Sequence, residues 1–246
     1  MASELSLQSL ARLGFAELSV ARDVLTRRSW NPEWFGRAAS PDKALAWLDR
    51  LFDIDSGKNV DRALAKSDGG LREGLIRVLG ASDGLAEFIL RTPASFVKAM
   101  PPSELPTAEQ YRQAFRQSKV ADSDALRSIY RNHLVTIAAW DLTQPSAVDA
   151  VQRVGQALAD LTDATVDAAI SLARKTVTAS AEDLAGTTFT VIGMGKTGAR
   201  ELNYISDVDV IFVCESDGID DNRAVDVATK LARATIAAIH EPGIEP

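Results

Sequence analysis

The sequence predicts an α+β protein in two parts: a helical region over residues 1–184, then the first strands of a small core over 185–246 that stops short of completion. Three observations carry this. Apolar residues recur every three or four positions from near the N-terminus to about Asp183, the period of amphipathic helices. At Ala185-Gly186 the pattern changes, and Thr187–Ile192 and Val208–Val213 are short runs rich in β-branched and aromatic residues, as buried strands are. Two strands and one following helix are marginal as an independent sheet in water, so the core is expected to continue past Pro246.

Composition narrows the class further. At roughly 100–200 residues per domain, 246 residues allow one large domain or two smaller ones. Lys and Arg number 27 against 34 Asp and Glu, a net charge of −7. That balance argues against a general nucleic-acid binder, whose affinity rests on cations neutralising phosphates. Cys214 is the only cysteine, which excludes an intrachain disulfide and a zinc site built from several thiolates, and fits a reducing compartment. Met1-Ala2-Ser3-Glu4 lacks the basic start and apolar run of a signal peptide, and no stretch approaches the roughly 20 apolar residues of a membrane span. The expectation is a cytoplasmic protein whose partners are proteins or small molecules, neither nucleic acid nor membrane.

In chain order, the helices are marked by caps as well as by period. Ser40 is placed to cap a helix with Pro41 in its first turn and Leu45, Leu48 and Phe52 on one face. Leu71, Leu75 and Val78 repeat the spacing up to Gly80, which is expected to stop that helix. Ser82 caps a successor carrying Leu85, Phe88 and Ile89 that ends before Pro93, and Met100-Pro101-Pro102 reads as a loop. Leu126, Tyr130, Leu134 and Ile137 share one face of a helix to about Trp140. Thr143–Ser146 breaks it, and Ser146 with Asp149 fits a capping box for the next. From Val148 through Leu161 to Val177 the period persists towards Ser180, as one helix or two. The segment from Ser146 to Ser180 is expected to pack on the strands, because the connection to them is short. A last helix is expected from about Asp220 to His240, carrying Ala224, Ala228, Leu231, Thr235 and Ile239, with a loop after it.

The chemistry is concentrated between Gly193 and Asp209. Gly193, Gly195 and Gly198 match G-x-G-x-x-G after a strand, but a dinucleotide fold needs a substantial helix next and an acid about 20 positions on. Here the next strand begins near Val208. A P-loop fails because Thr190 stands where its first glycine belongs. A third reading covers the whole segment: a strand enters a glycine turn whose N–H groups can face phosphate oxygens, a short helix follows, and Ser206-Asp207-Val208-Asp209 opens the next strand. On a strand, Asp207 and Asp209 project from one face while Val208, Val210 and Phe212 enter the other. Side-by-side carboxylates repel, and a divalent cation relieves the repulsion. Hard oxygen ligands suit Mg²⁺, or Mn²⁺, bridging to nucleotide phosphates. Asp207 and Asp209 are therefore read as the catalytic, metal-holding pair, and Gly193 and Gly195 as the phosphate cradle. Gly198 either joins the cradle or simply makes the turn, and Ser206 either contacts a phosphate or shapes the strand entry.

Strand, glycine turn, short helix and D-x-D in this order resemble the DNA polymerase β-like nucleotidyltransferases. The wording from Gly193 to Phe212 resembles the glutamine synthetase adenylyltransferase/adenylyl-removing enzymes, and so do Gly80–Pro93 and Leu126–Leu142, so the resemblance covers Leu71 to Pro246. It implies a bacterial regulator of nitrogen assimilation with two nucleotidyltransferase domains. One removes AMP from a glutamine synthetase tyrosine by phosphorolysis, giving ADP, and the other adds it from ATP; PII signalling protein and glutamine set the direction. With its D-x-D at 207–209, the chain is expected to correspond to the adenylyl-removing half. The family also presents a third carboxylate from a later strand, in a stretch resembling V-D-x-x-L-R-P-x-G, and none precedes Pro246. The resemblance thus implies an N-terminal portion with an incomplete active site, inactive alone, with an open sheet edge beside Val208–Val213.

Two other readings stay open. One is a nucleotidyltransferase with another acceptor, RNA or an antibiotic, against which the acidic charge weighs. The other is a non-catalytic module whose helices bind glutamine synthetase or PII. Lys196 meets a phosphate or solvent, Asn203 is undecided, and Arg200 and Glu201 are expected to be structural, pairing with each other or with the site. His133, Cys214 and the four tryptophans are read as packing residues.

Overall fold

The structure, a computed structural model, describes residues 5–54, 57–67 and 69–240. It is α+β and mainly helical, as expected, with one two-stranded antiparallel sheet among the described residues. Its elements fall into two compact units: one runs to Ser103 and takes in Asn132–Ala147, and the other comprises Glu104–Arg131 and the chain from Val148.

The first unit holds α1 (Leu7–Arg12), α2 (Leu18–Arg28), α3 (Pro41–Asp53), α4 (Gly57–Lys66), α5 (Gly70–Ala81), α6 (Asp83–Arg91) and a 3-10 segment, Pro93–Ala99. Ser40 Oγ accepts from the Lys43 N–H and Ser82 Oγ from the Leu85 N–H, satisfying first-turn amides that lack intrahelical partners. The apolar faces meet in one core, with Leu25, Phe35, Leu48, Leu75 and Phe88 fully buried. The latter part of α8 (Ser123–Thr143) adds Val135 and Ala139 to it. Trp30 stands edge-on to Phe52 with ring centroids 5.0 Å apart.

Gly80 does not stop α5, which continues to Ala81. A Cβ at Gly80 would lie 2.9 Å from both Ala38 Cβ and Ser40 O, so the glycine answers a close approach between segments rather than a helix end. Gly74 is tighter, with the same construction reaching 2.0 Å from Ala99 O. His133 of α8 is half-buried near Lys98; desolvation first, and then that cation, push its imidazole down to about 4.

The second unit sets helices beside the sheet. α7 (Ala108–Gln117) starts in a capping box made by Thr107 and Gln110. α9 (Ala147–Thr176) is a single helix of 30 residues, ending before Ser180. The short α10 (Ala181–Ala185) then leads into β1 (Thr187–Gly193). α11 (Gly195–Gly198) is one turn long, and β2 (Val210–Ser216) returns antiparallel to β1, in register from Thr187 opposite Ser216 to Gly193 opposite Val210. Asp220 Oδ1 accepts from the Asn222 N–H at the head of α12 (Asp221–His240). Val227 and Leu231 of α12 and Ala173 of α9 bury together with Phe189 packed on them, so the C-terminal end of α9 does lie on the strands. Phe189 and Phe212 stack with centroids 5.7 Å apart. The other sheet face is open: Ile192, Ile211 and Val213 are 46%, 49% and 43% exposed. The loop expected after His240 lies outside the described residues, and no described helix is long and apolar enough to cross a membrane.

Candidate functional site

β2 begins at Val210, two residues later than the sequence suggests, so Asp207 and Asp209 lie in an extended approach to the strand rather than within it. The reason is the partner strand. β1 ends at Gly193, opposite Val210, and the glycine turn then carries its chain away. One further bond, from the Met194 N–H to Asp209 O at 2.8 Å, ties the acidic approach to the turn. Val210 and Phe212 are half-buried, while Val208 is exposed and joins Val210 at the rim of a cavity of about 420 Å³ between α9 and the strands.

The glycines are there for distinct reasons. Gly195 has φ +51°, in the left-handed region that favours glycine, and a Cβ on it would stand 3.1 Å from Asp209 Oδ2. The missing side chain lets the Asp209 carboxylate lie over the turn. Gly198 closes that turn: its N–H donates to Met194 O at 3.0 Å, and a Cβ would lie 2.5 Å from Gly193 O. Gly193 abuts Thr197, which is buried, and its Oγ1 has no hydrogen-bond partner among the described residues.

Ser206 is half-exposed, and its Oγ accepts from Lys196 Nζ at 3.4 Å, bringing one cation to the edge that carries the acids. Asp207 and Asp209 are both exposed. Among the described residues no three His, Cys, Asp or Glu side chains gather into a metal cluster. The chain's own donors at this edge are two carboxylates. Such a set fits a hard cation that keeps several waters and takes further oxygens from a phosphate, as Mg²⁺ does.

Asn203 acts locally, its Oδ1 accepting from the Ile205 N–H at 3.1 Å and shaping the turn before Ser206. Arg200 pairs with α9, its Nη1 lying 2.7 Å from Asp160 Oδ1 and 3.4 Å from Asp163 Oδ2. Burial raises both carboxyl pKa values, and Arg200 opposes the rise. Sequence reasoning missed Asp160, Asp163 and the glycine beside them, Gly155. The available signal was an acid at 160 inside the buried stripe of Ala157, Leu161 and Ala164.

Comparison with known proteins places the chain. A sequence model described as glutamate-ammonia ligase adenylyltransferase matches residues 72–246. A bifunctional glutamine synthetase adenylyltransferase/adenylyl-removing enzyme of Leifsonia xyli subsp. xyli is 38% identical over 274 residues, which cover 99% of this chain and 27% of the relative. Proteins of the same name from Streptomyces avermitilis and Mycolicibacterium smegmatis are 37% and 35% identical over 96% and 92% of this chain. Each match covers 24% of the relative, so the chain spans about a quarter of the length of these proteins. With the matched stretch taking in the glycine turn and the acidic pair, and the identity extending over nearly the whole sequence, the chain belongs to the glutamate-ammonia ligase adenylyltransferase family.

Proposed function

We propose that this chain acts in the regulation of glutamine synthetase by reversible adenylylation, in the adenylyl-removing direction. Inorganic phosphate attacks the α-phosphorus of adenylyl-tyrosine in line, and the bond between phosphorus and the tyrosine oxygen breaks. The tyrosine takes up the proton carried by the attacking phosphate, so ADP and free tyrosine leave. The observation that carries this reading is the Asp209 carboxylate lying over Gly195, which brings an acid and a turn of backbone N–H groups to one exposed edge.

In this reading Asp207 and Asp209 hold Mg²⁺, or Mn²⁺, whose bound charge would neutralise the phosphoryl oxygens and align the entering and leaving groups. Gly193 and Gly195 offer N–H groups to phosphate oxygens of the adenylyl group and of ADP, Gly198, whose own N–H is spent on Met194 O, closes the turn that presents them, and Ser206 and Lys196 bound the same edge. Glutamine synthetase is the protein acted on in the relatives' names. Control by PII signalling protein and glutamine belongs to the proposal through the family resemblance, as does removal of AMP rather than its addition.

ADP release from adenylylated glutamine synthetase, with phosphate and Mg²⁺, by the full-length enzyme that contains this chain is the test. Asp207→Asn and Asp209→Asn are each expected to slow release by about 100-fold or more. Release at the wild-type rate by both variants would overturn the assignment, and AMP transfer from ATP without phosphorolysis would overturn the direction.

A further inference from the structure

We infer that Arg200 is a positioning residue for the acidic pair: clamped to α9 by Asp160 and Asp163, it holds the glycine turn and the approach to β2 in one frame. The inference rests on the reading of Asp207 and Asp209 as a metal and nucleotide site.

The backbone supplies the first observation. Arg200 has φ +60°, in the left-handed region where a side chain crowds its own carbonyl. A non-glycine residue stays there only when its surroundings over-determine it. The reversal comes directly after α11, with the Arg200 N–H donating to Thr197 O at 3.2 Å and the Glu201 N–H to Lys196 O at 2.8 Å. It is built into the turn that carries Gly195 and Gly198.

α9 provides the anchor. The Asp160 side chain is 7% exposed, and Arg200 Nη1 forms an ion pair 2.7 Å from its Oδ1 without the alignment of a hydrogen bond, while the same nitrogen donates to Asp163 Oδ2 at 3.4 Å. One turn earlier, a Cβ at Gly155 would lie 3.3 Å from Glu201 Cα and 3.4 Å from the carbonyl oxygens of Arg200 and Leu202. Leu202 itself is buried. Side chain and backbone of residues 200–202 are thus both seated on one stretch of α9.

From that seat the chain reaches Ser206–Asp209 through the Asn203 turn, and its far end returns to the glycine turn by the Met194 N–H to Asp209 O bond. The segment bearing the acids is therefore fixed at both ends, although Asp207 and Asp209 are themselves exposed. Displacing reacting groups by about 1 Å can cost on the order of 100-fold in rate, so a fixed frame matters to the chemistry beyond its effect on folding.

An ion pair that merely stabilises the fold would give a different experimental pattern. Arg200→Met leaves Asp160 charged and buried, which destabilises whatever the role. Arg200→Met combined with Asp160→Asn removes the orphaned charge. The measurement is the affinity of the purified chain for Mn²⁺ with ADP, read from the electron paramagnetic resonance signal of free Mn²⁺ and set beside Tm. Arg200→Met is expected to lower Tm and weaken Mn²⁺·ADP binding by about 10-fold or more. The double variant is expected to regain Tm while binding stays weak, and Arg200→Lys, which keeps one charged nitrogen on a differently shaped side chain, to fall between Arg200→Met and wild type. Recovery of binding together with Tm in the double variant would reduce Arg200 to a stabilising residue. Asp207→Asn and Asp209→Asn separate the two layers. If they abolish binding while every Arg200 variant binds like wild type, the positioning role falls alone. If they bind like wild type, the site reading falls and takes this inference with it.

Discussion

At Gly195 a hydrogen stands where a Cβ would meet the Asp209 carboxylate at 3.1 Å, on a backbone with φ +51°. Gly195→Ala therefore adds strain of about 1–2 kcal/mol and also displaces the acid. Gly218 is the natural control, with φ +70° and no atom within 4 Å of an added Cβ. Both alanine variants are expected to lose similar stability in thermal melts, but only Gly195→Ala is expected to lower ADP release, by about 10-fold or more. Equal activity in the two would show that the contact over Gly195 has no chemical consequence. The turn and the acids are legible in the sequence because spacing within one short segment specifies them. Asp160 and Gly155 are not, because their partners lie some 40 residues on, and only the packed α9 brings them to Arg200.

Elements are legible to the extent that local chemistry sets them. The serines at 40 and 82 cap the helices their positions predict, and β1 runs where β-branched residues cluster. The start of β2 escapes such reading because its first paired residue depends on where β1 ends, at Gly193. Gly80 misleads for a related reason: helix propensity sees a breaker, whereas the structure uses the space. Gly74 in α5 and Gly84 in α6 turn this into an opposed pair. By propensity alone, alanine at either should stabilise by about 1 kcal/mol. A Cβ at Gly74 would lie 2.0 Å from Ala99 O, so Gly74→Ala is expected to destabilise by about 2–3 kcal/mol instead, through overpacking. Nothing lies within 4 Å of a Cβ at Gly84, and Gly84→Ala is expected to stabilise by about 0.5–1 kcal/mol. Urea unfolding of both variants checks the signs, and a gain at Gly74 would mean that α5 is not pressed against Ala99.

For the molecule as a whole, acid sensitivity has a legible donor and an illegible cause. His133 is visible in the sequence, but the partial burial and the neighbouring Lys98 that hold its imidazole down to about 4 are products of the packed fold. The unfolded chain binds this proton near pH 6.5 and the folded chain only near 4, so stability is intact above 6.5 and is lost as pH falls between those values. The expected loss is on the order of 1–3 kcal/mol. Asp160 and Asp163, raised by burial, act in the opposite sense by taking up protons more readily when folded. The comparison is therefore between wild type and His133→Gln, with wild type expected to lose stability relative to the variant as pH falls from 6.5 to 4. A constant difference across that range would mean that folding does not depress the His133 imidazole pKa.

The proposed chemistry depends above all on the acids before β2 and the glycine turn after β1 forming one metal and nucleotide site. Crystals of the chain grown with Mn²⁺ and ADP, with data collected at the manganese absorption edge, test this without intermediate steps. The expected result is an anomalous peak between the Asp207 and Asp209 carboxylates, with the ADP phosphates against the N–H groups of Gly193 and Gly195. Manganese and ADP bound together at another place on the chain, with neither carboxylate in contact, would contradict it.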